Sequence, residues 1–153
     1  MVPAKPLRKP PVWLGAAGLL PQLACVTVAL VAVDLRNVAS LSGGLYAGAI
    51  LSFLGGMWWM QALCRGDPRW WPYVVAVVPS LLAWAVLALW LLNVIAPHVA
   101  LIVIGAALLA SPAGDHLVGS FAADVPAWRR LRQLLSAGLG SLTVMLSAFS
   151  GRA

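Results

Sequence analysis

The stretch Tyr46-Ala-Gly-Ala-Ile-Leu-Ser-Phe-Leu-Gly-Gly-Met-Trp-Trp59 sets small residues four apart and closes on two adjacent indoles. Glycine costs a helix about 1 kcal/mol relative to alanine, so a helix this rich in it needs surroundings where close backbone approach outweighs propensity. A bilayer provides them. Burying apolar surface gives no net drive between helices that already sit in hydrocarbon, and van der Waals packing over small residues takes its place. Gly44, Gly48, Ser52 and Gly56 are successive i+4 positions and are expected to form a flat packing stripe, widened by Gly43, Ala47 and Gly55. The helix carrying them is the expected centre of the fold.

Composition extends this reading to the whole chain. Of 153 residues, 62% are hydrophobic and 9% charged, with a mean hydropathy of +0.94, whereas soluble domains carry about a quarter charged residues. Ten Lys and Arg against four Asp leave a net charge of +6, and glutamate is absent. The basic residues gather in small groups at the ends of apolar runs and form no continuous stripe, which excludes nucleic acid as a partner. A span needs about 20 mostly apolar residues, and five runs qualify: residues 12–33, 43–63, 71–92, 97–118 and 130–149. The expected fold is therefore all-α. A basic tail, residues 1–11, leads into one five-helix transmembrane domain, residues 12–150, with the first run too long for a cleaved signal peptide.

Orientation follows from the loops. One side holds Lys5, Arg8, Lys9, Arg65, Arg69, Arg129, Arg130 and Arg132, and the other holds Arg36 and Arg152. The positive-inside rule places the N-terminus in the cytoplasm and the C-terminus outside, in a multi-pass protein of the bacterial cytoplasmic (inner) membrane. Trp13, Trp70, Trp71 and Trp128 fall at cytoplasmic ends and Trp90 at an outer end, as interfacial anchors do. Trp58, Trp59 and Trp84 lie deeper and read as bulky packing. Arg129, Arg130 and Arg132 signal topology and stand where they meet anionic lipid or pair with Asp115 or Asp124. Pro112 and Gly114 are expected to interrupt the fourth span near Ser111. Cys25 and Cys64 fall roughly 18 Å apart along the membrane normal, too far for a disulfide.

Depth counting from each cytoplasmic end adds a polar level. At 1.5 Å per residue, Gln22, Ser52 and Ser80 all fall roughly 14–17 Å in, near the midplane of a 30 Å core. Pro21 and Pro79 precede two of them, each freeing a carbonyl that needs a partner. The expectation is that these three polar side chains face one another, as interhelical glue or as the lining of a small cavity.

The same residues carry a resemblance. The Ser52-Phe53-Leu54-Gly55 stretch ending at Trp59, then Pro79-Ser80 with Trp84 in the next helix, then Pro126, Trp128, Leu131 and Arg132, resembles the domain of unknown function 3429 family of transmembrane protein 69-like small membrane proteins. The likeness runs from about residue 46 onward. It departs at Trp58, where relatives commonly carry a histidine. The resemblance implies a five-helix integral membrane protein and no settled activity.

Catalytic chemistry finds little to use. His98 and His116 fall at opposite ends of the fourth span, so they do not share a metal or haem. No lysine follows Lys9, which excludes a Walker motif, and without glutamate there is no His-Glu-x-x-His. No histidine stands near Ser52 or Ser80 to act as base, and no carboxylate is expected at the midplane to relay protons. No cofactor is expected. The leading expectation is a non-enzymatic packing, assembly or interaction protein whose partners are the bilayer and another membrane protein or a second copy. The alternatives are a small-solute or ion transporter using the Gln22, Ser52 and Ser80 level, and a lipid-modifying enzyme drawing on Asp115, His116 and the nearby arginines.

Overall fold

A computed structural model describes residues 9–119 and 126–151. Lys5, Arg8, Asp124 and Arg152 lie outside the described residues, as does any pairing of Asp124 with the arginines. In chain order the elements are α1 (Lys9–Ala17), α2 (Leu20–Val31), a 3-10 turn (Val33–Leu35), α3 (Arg36–Cys64), α4 (Trp71–Leu91), α5 (Pro97–Leu117) and α6 (Pro126–Ser147). Among the described residues there is no strand. Four stretches are long and apolar enough to cross a membrane: Val12–Val31, Val33–Cys64, Trp71–Leu91 and Pro97–Leu117. The fifth, α6, is not among them, because its opening turns carry Arg129, Arg130, Arg132 and Gln133.

Two boundaries differ from expectation. The first run is not one helix: it breaks at Gly18 and Leu19 between α1 and α2. Pro21 stands in the first turn of α2, where its missing N–H is harmless, whereas in a continuous helix its ring would meet the carbonyl of Ala17. The carbonyl of Gly18 then takes a hydrogen bond from the Tyr46 hydroxyl of α3. Conversely, α5 is not interrupted at Pro112 but runs on to Leu117. Pro112 frees the carbonyl four residues back, and that carbonyl, Leu108 O, accepts from the Ser111 hydroxyl at 2.7 Å.

α3 is the hub, touching α2, α4, α5 and α6. Its buried positions include Gly44, Gly48, Leu51, Gly55, Trp58 and Ala62, spacings that alternate between four and three. α4 answers with Pro72, Ala76, Pro79, Ala83 and Val86, the same seam that supercoiled helices use. The contacts are close. A Cβ on Gly44 would stand 2.7 Å from the Trp90 ring, and one on Gly48 would stand 3.0 Å from Leu87. Gly55 lies against the backbone carbonyl of Ala76, while Gly56 has nothing within 4 Å. The stripe Gly44, Gly48, Ser52, Gly56 is therefore corrected at its lower end. Four residues turn a helix through about 400°, so strict i+4 spacing drifts by about 40° per step. After three steps Gly56 has left the interface and Gly55 has taken its place.

A second close pair joins α5 to α6. A Cβ on Gly105 would lie 3.0 Å from the Gly140 carbonyl, and one on Gly140 would lie 2.9 Å from the Gly105 carbonyl. The two backbones touch through glycines that the sequence reading did not single out.

Both hairpin turns end their helix in the same way. Gly66 (φ 60°) and Asn93 (φ 57°) adopt left-handed conformations, and the following N–H groups, of Asp67 and Val94, reach back to Ala62 O and Leu89 O at 3.1 and 2.9 Å. The first turn carries an exposed ion pair. Arg69 donates to both carboxylate oxygens of Asp67, at 2.8 and 2.6 Å, and stacks 5.0 Å over the Trp71 ring. Those side-chain bonds, with the Arg69 backbone N–H, lower the Asp67 pKa from 3.8 to about 2. A depressed carboxylate stabilises the folded turn above pH 4, and the contribution is lost as pH falls through about 2. Asp67→Asn is accordingly expected to lower stability slightly at neutral pH, to leave it unchanged below about pH 2, and to flatten the decline between pH 4 and 2, by melting in mild detergent.

Candidate functional site

Gln22, Ser52 and Ser80 are not brought together. Gln22 is fully buried and donates to Thr143 Oγ1 on α6 at 3.1 Å. On α3 it meets Gly43, whose Cβ would lie 3.3 Å from the Gln22 amide nitrogen. Ser52 lies nine residues further along α3, roughly 14 Å away at 1.5 Å per residue, and no hydrogen bond joins it to Ser80 or to Gln22. The tight turn around Ala32 sets which residues of α2 and α3 lie opposite, and counting outward from that turn pairs position 22 with position 43. Counting each helix from its distant end loses this register. Thr143 also donates to Leu139 O at 2.7 Å, so it keeps a partner without Gln22, whose Oε1 has none. Gln22→Met is therefore expected to change stability by less than about 1 kcal/mol.

The interior polar chemistry sits instead where α3, α5 and α6 converge, at the end of the bundle that holds Arg65 and Arg69. Asp115 of α5 accepts from Trp58 Nε1 of α3 at 2.6 Å through one oxygen and pairs with Arg132 Nε of α6 at 3.3 Å through the other. Arg132 also donates to Ser136 Oγ, and to Ser111 Oγ at 3.2 Å, and the two hydroxyls lie 3.2 Å apart. Asp115 is 5% exposed and Arg132 6%. Each helix contributes an i, i+4 pair to one face: Ser111 with Asp115, and Arg132 with Ser136. Gly114 completes the fit, since any Cβ there would run into the Trp58 indole. The glycine expected to interrupt α5 is thus the residue that admits the ring.

Other expected site residues divide. Arg132 is corrected from an interfacial side chain to a buried one, because it faces α5 with Ser136, Leu139 and Gly140 while Arg129 and Arg130 on the next face stay exposed. Trp58 packs inside as expected, and its hydrogen bond to Asp115 was not anticipated. Trp84, expected as packing, is 70% exposed, since it stands one position off the α4 seam. Phe53 is likewise exposed, whereas Leu54, Gly55 and Pro79 are buried. Trp59 makes an edge contact with Tyr73, ring centroids 5.2 Å apart. Trp13 and Trp70 are exposed, with Trp71 and Trp128 half-buried. Among the described residues no three His, Cys, Asp or Glu side chains gather to hold a metal.

Beside this charged knot opens an apolar pocket of about 390 Å³, whose lining includes Leu19, Phe53, Leu108, Trp128, Arg132, Ser136 and Leu139. Arg132 and Ser136 belong to both features, so the charged cluster forms part of the pocket wall.

Four stretches long and apolar enough to cross a membrane, packed around a buried charged knot, define a multi-pass α-helical membrane protein. The chain belongs to the family described as protein of unknown function (DUF3429), whose profile matches residues 7–148. It is similar to Transmembrane protein 69 of Xenopus tropicalis, with 34% identity over 86 residues. That match takes in 54% of this chain and 34% of the relative, so the chain spans about a third of the length of the curated relative it matches. No solved structure matches the chain.

Proposed function

We propose that this is a non-enzymatic protein of the bacterial cytoplasmic membrane that crosses it five times, N-terminus inside, and acts by packing against another membrane protein or a second copy of itself. The observation that carries the reading is how the interior polar groups are spent. Both oxygens of Asp115 are occupied, Arg132 is held by Asp115 and two serines, and the Gln22 amide nitrogen is given to Thr143, which leaves Gln22 Oε1 and Ser40 Oγ as separate open acceptors away from the charged cluster. A serine nucleophile needs a base within hydrogen-bond reach, and Ser111 and Ser136 meet Arg132, each other and the Leu108 carbonyl instead. Support for the fifth crossing comes from α6: its 22 residues would extend roughly 33 Å, enough for a 30 Å core, and it packs tightly along α5. The outward stripe of α3, with Phe53 and Met60 exposed either side of the open Gly56, has the form that close helix partners use.

A photoreactive amino acid at Phe53, irradiated in intact membranes, is expected to give a discrete protein–protein adduct. Lipid adducts alone at Phe53, Met60 and Trp84 would contradict the proposal, as would catalytic lipid turnover by the purified protein in vesicles.

A further inference from the structure

The pocket beside the charged knot has the dimensions and polarity of a site for one hydrocarbon chain. Beyond the Gly18 break, α1 lies along α6, where Gly15 meets Leu135, while α2 runs against α3. The wedge left between α1 and α3 is floored by α5 and α6, and its mouth is flanked by Leu14 and Phe53, both exposed. Its volume, about 390 Å³, falls within the range of ligand pockets, about 300–1,000 Å³. From Trp128 to Leu139 the wall follows eleven residues of α6, roughly 16 Å, which is the depth of one leaflet of a 30 Å core. The walls are apolar except where Arg132 and Ser136 enter, roughly 6 and 12 Å along α6 from Trp128. Asp115 balances the charge of Arg132. The exposed Arg129 and Arg130 follow Trp128 directly and add positive charge at the Trp128 end of the pocket.

We propose that the pocket holds one acyl chain of an anionic glycerophospholipid, taken sideways from the surrounding leaflet, with its phosphate on Arg129 and Arg130. The chain enters between Leu14 and Phe53 and lies against Leu19, Met57 and Leu135. Those side chains are half-buried and come from the break between α1 and α2, from α3 and from α6, so a chain that reaches all three lies between those elements. This inference is independent of whether the protein also packs against a partner.

The test uses the full-length protein in phosphatidylcholine vesicles containing phosphatidylglycerol with a diazirine near the end of one acyl chain. Irradiation followed by peptide mass spectrometry is expected to place adducts on Leu19, Met57 and Leu135 together. The yield there should exceed that from the same diazirine chain on phosphatidylcholine by roughly tenfold or more, as two arginines near a lipid phosphate imply. Arg129→Gln with Arg130→Gln should bring the two headgroups close to parity, and Ile50→Trp, which fills the pocket, should abolish the deep adducts. Wild-type adducts confined to outward residues such as Leu134 and Trp84 would overturn the proposal. So would equal yields from the two headgroups, or labelling by a diazirine fatty acid as strong as that by phosphatidylglycerol.

Discussion

Arg132→Met alone is expected to lower the stability of the folded bundle by about 3–5 kcal/mol, because it strands the Asp115 carboxylate in an interior with nothing to balance it. Asp115→Leu alone should cost as much for the mirror-image reason. The double variant separates this account from a general intolerance of change. With both charges gone, what remains is the orphaned Trp58 N–H, worth about 1–3 kcal/mol. The two single effects should therefore be strongly non-additive, with the pair more stable than either alone. Unfolding in mild detergent or bicelles, followed by steric trapping, measures all three. A double variant that loses the sum of the single losses would show that Asp115 and Arg132 stabilise through separate contacts and that the knot is not a unit.

The second large effect contrasts two adjacent glycines. Gly55→Ala drives a methyl into the backbone carbonyl of Ala76, which cannot move without separating α3 from α4, and overpacking of this kind costs about 1–3 kcal/mol. Gly56→Ala meets nothing within 4 Å and is expected to stay within about 0.5 kcal/mol of wild type or gain slightly from helix propensity. Equal losses at the two positions would mean that α3 is rotated relative to the seam described here. In intact membranes, where a partner helix would fill the notch at Gly56, the same alanine should weaken the Phe53 photo-adduct without unfolding the protein.

Much of the helical framework was legible because hydropathy and length act locally. The third and fourth spans were expected at 71–92 and 97–118 and run Trp71–Leu91 and Pro97–Leu117. What escaped depends on rotation and register. Gly55 and Gly56 are indistinguishable in composition, and only the 100° step of the helix decides which one meets Ala76. Gln22 reads as level with Ser52 when each helix is counted from its own end, yet the turn around Ala32 sets their offset. The i, i+4 pairs Ser111 with Asp115 and Arg132 with Ser136, on helices only eight residues apart in sequence, were a readable sign of a shared polar face. Trp58 carried no such sign, since its partner lies 57 residues away in sequence. Gly114 beside Pro112 looked like an interruption, and the Ser111 hydroxyl that satisfies Leu108 O is what lets α5 continue.

The proposed topology threads the bilayer an odd number of times, with α6 as a full crossing packed on α5 through the charged knot. Side-specific thiol labelling in inverted and right-side-out membrane vesicles tests it directly. The probes are the exposed Cys64 in a Cys25→Ser background and, with both native cysteines changed to serine, Asn93→Cys and Gly151→Cys. Cys64 should label from the cytoplasmic face, and the cysteines at 93 and 151 from the opposite face. A cysteine at 151 that labels from the same side as Cys64 would contradict the account, because α6 would then lie along the membrane surface or return without crossing.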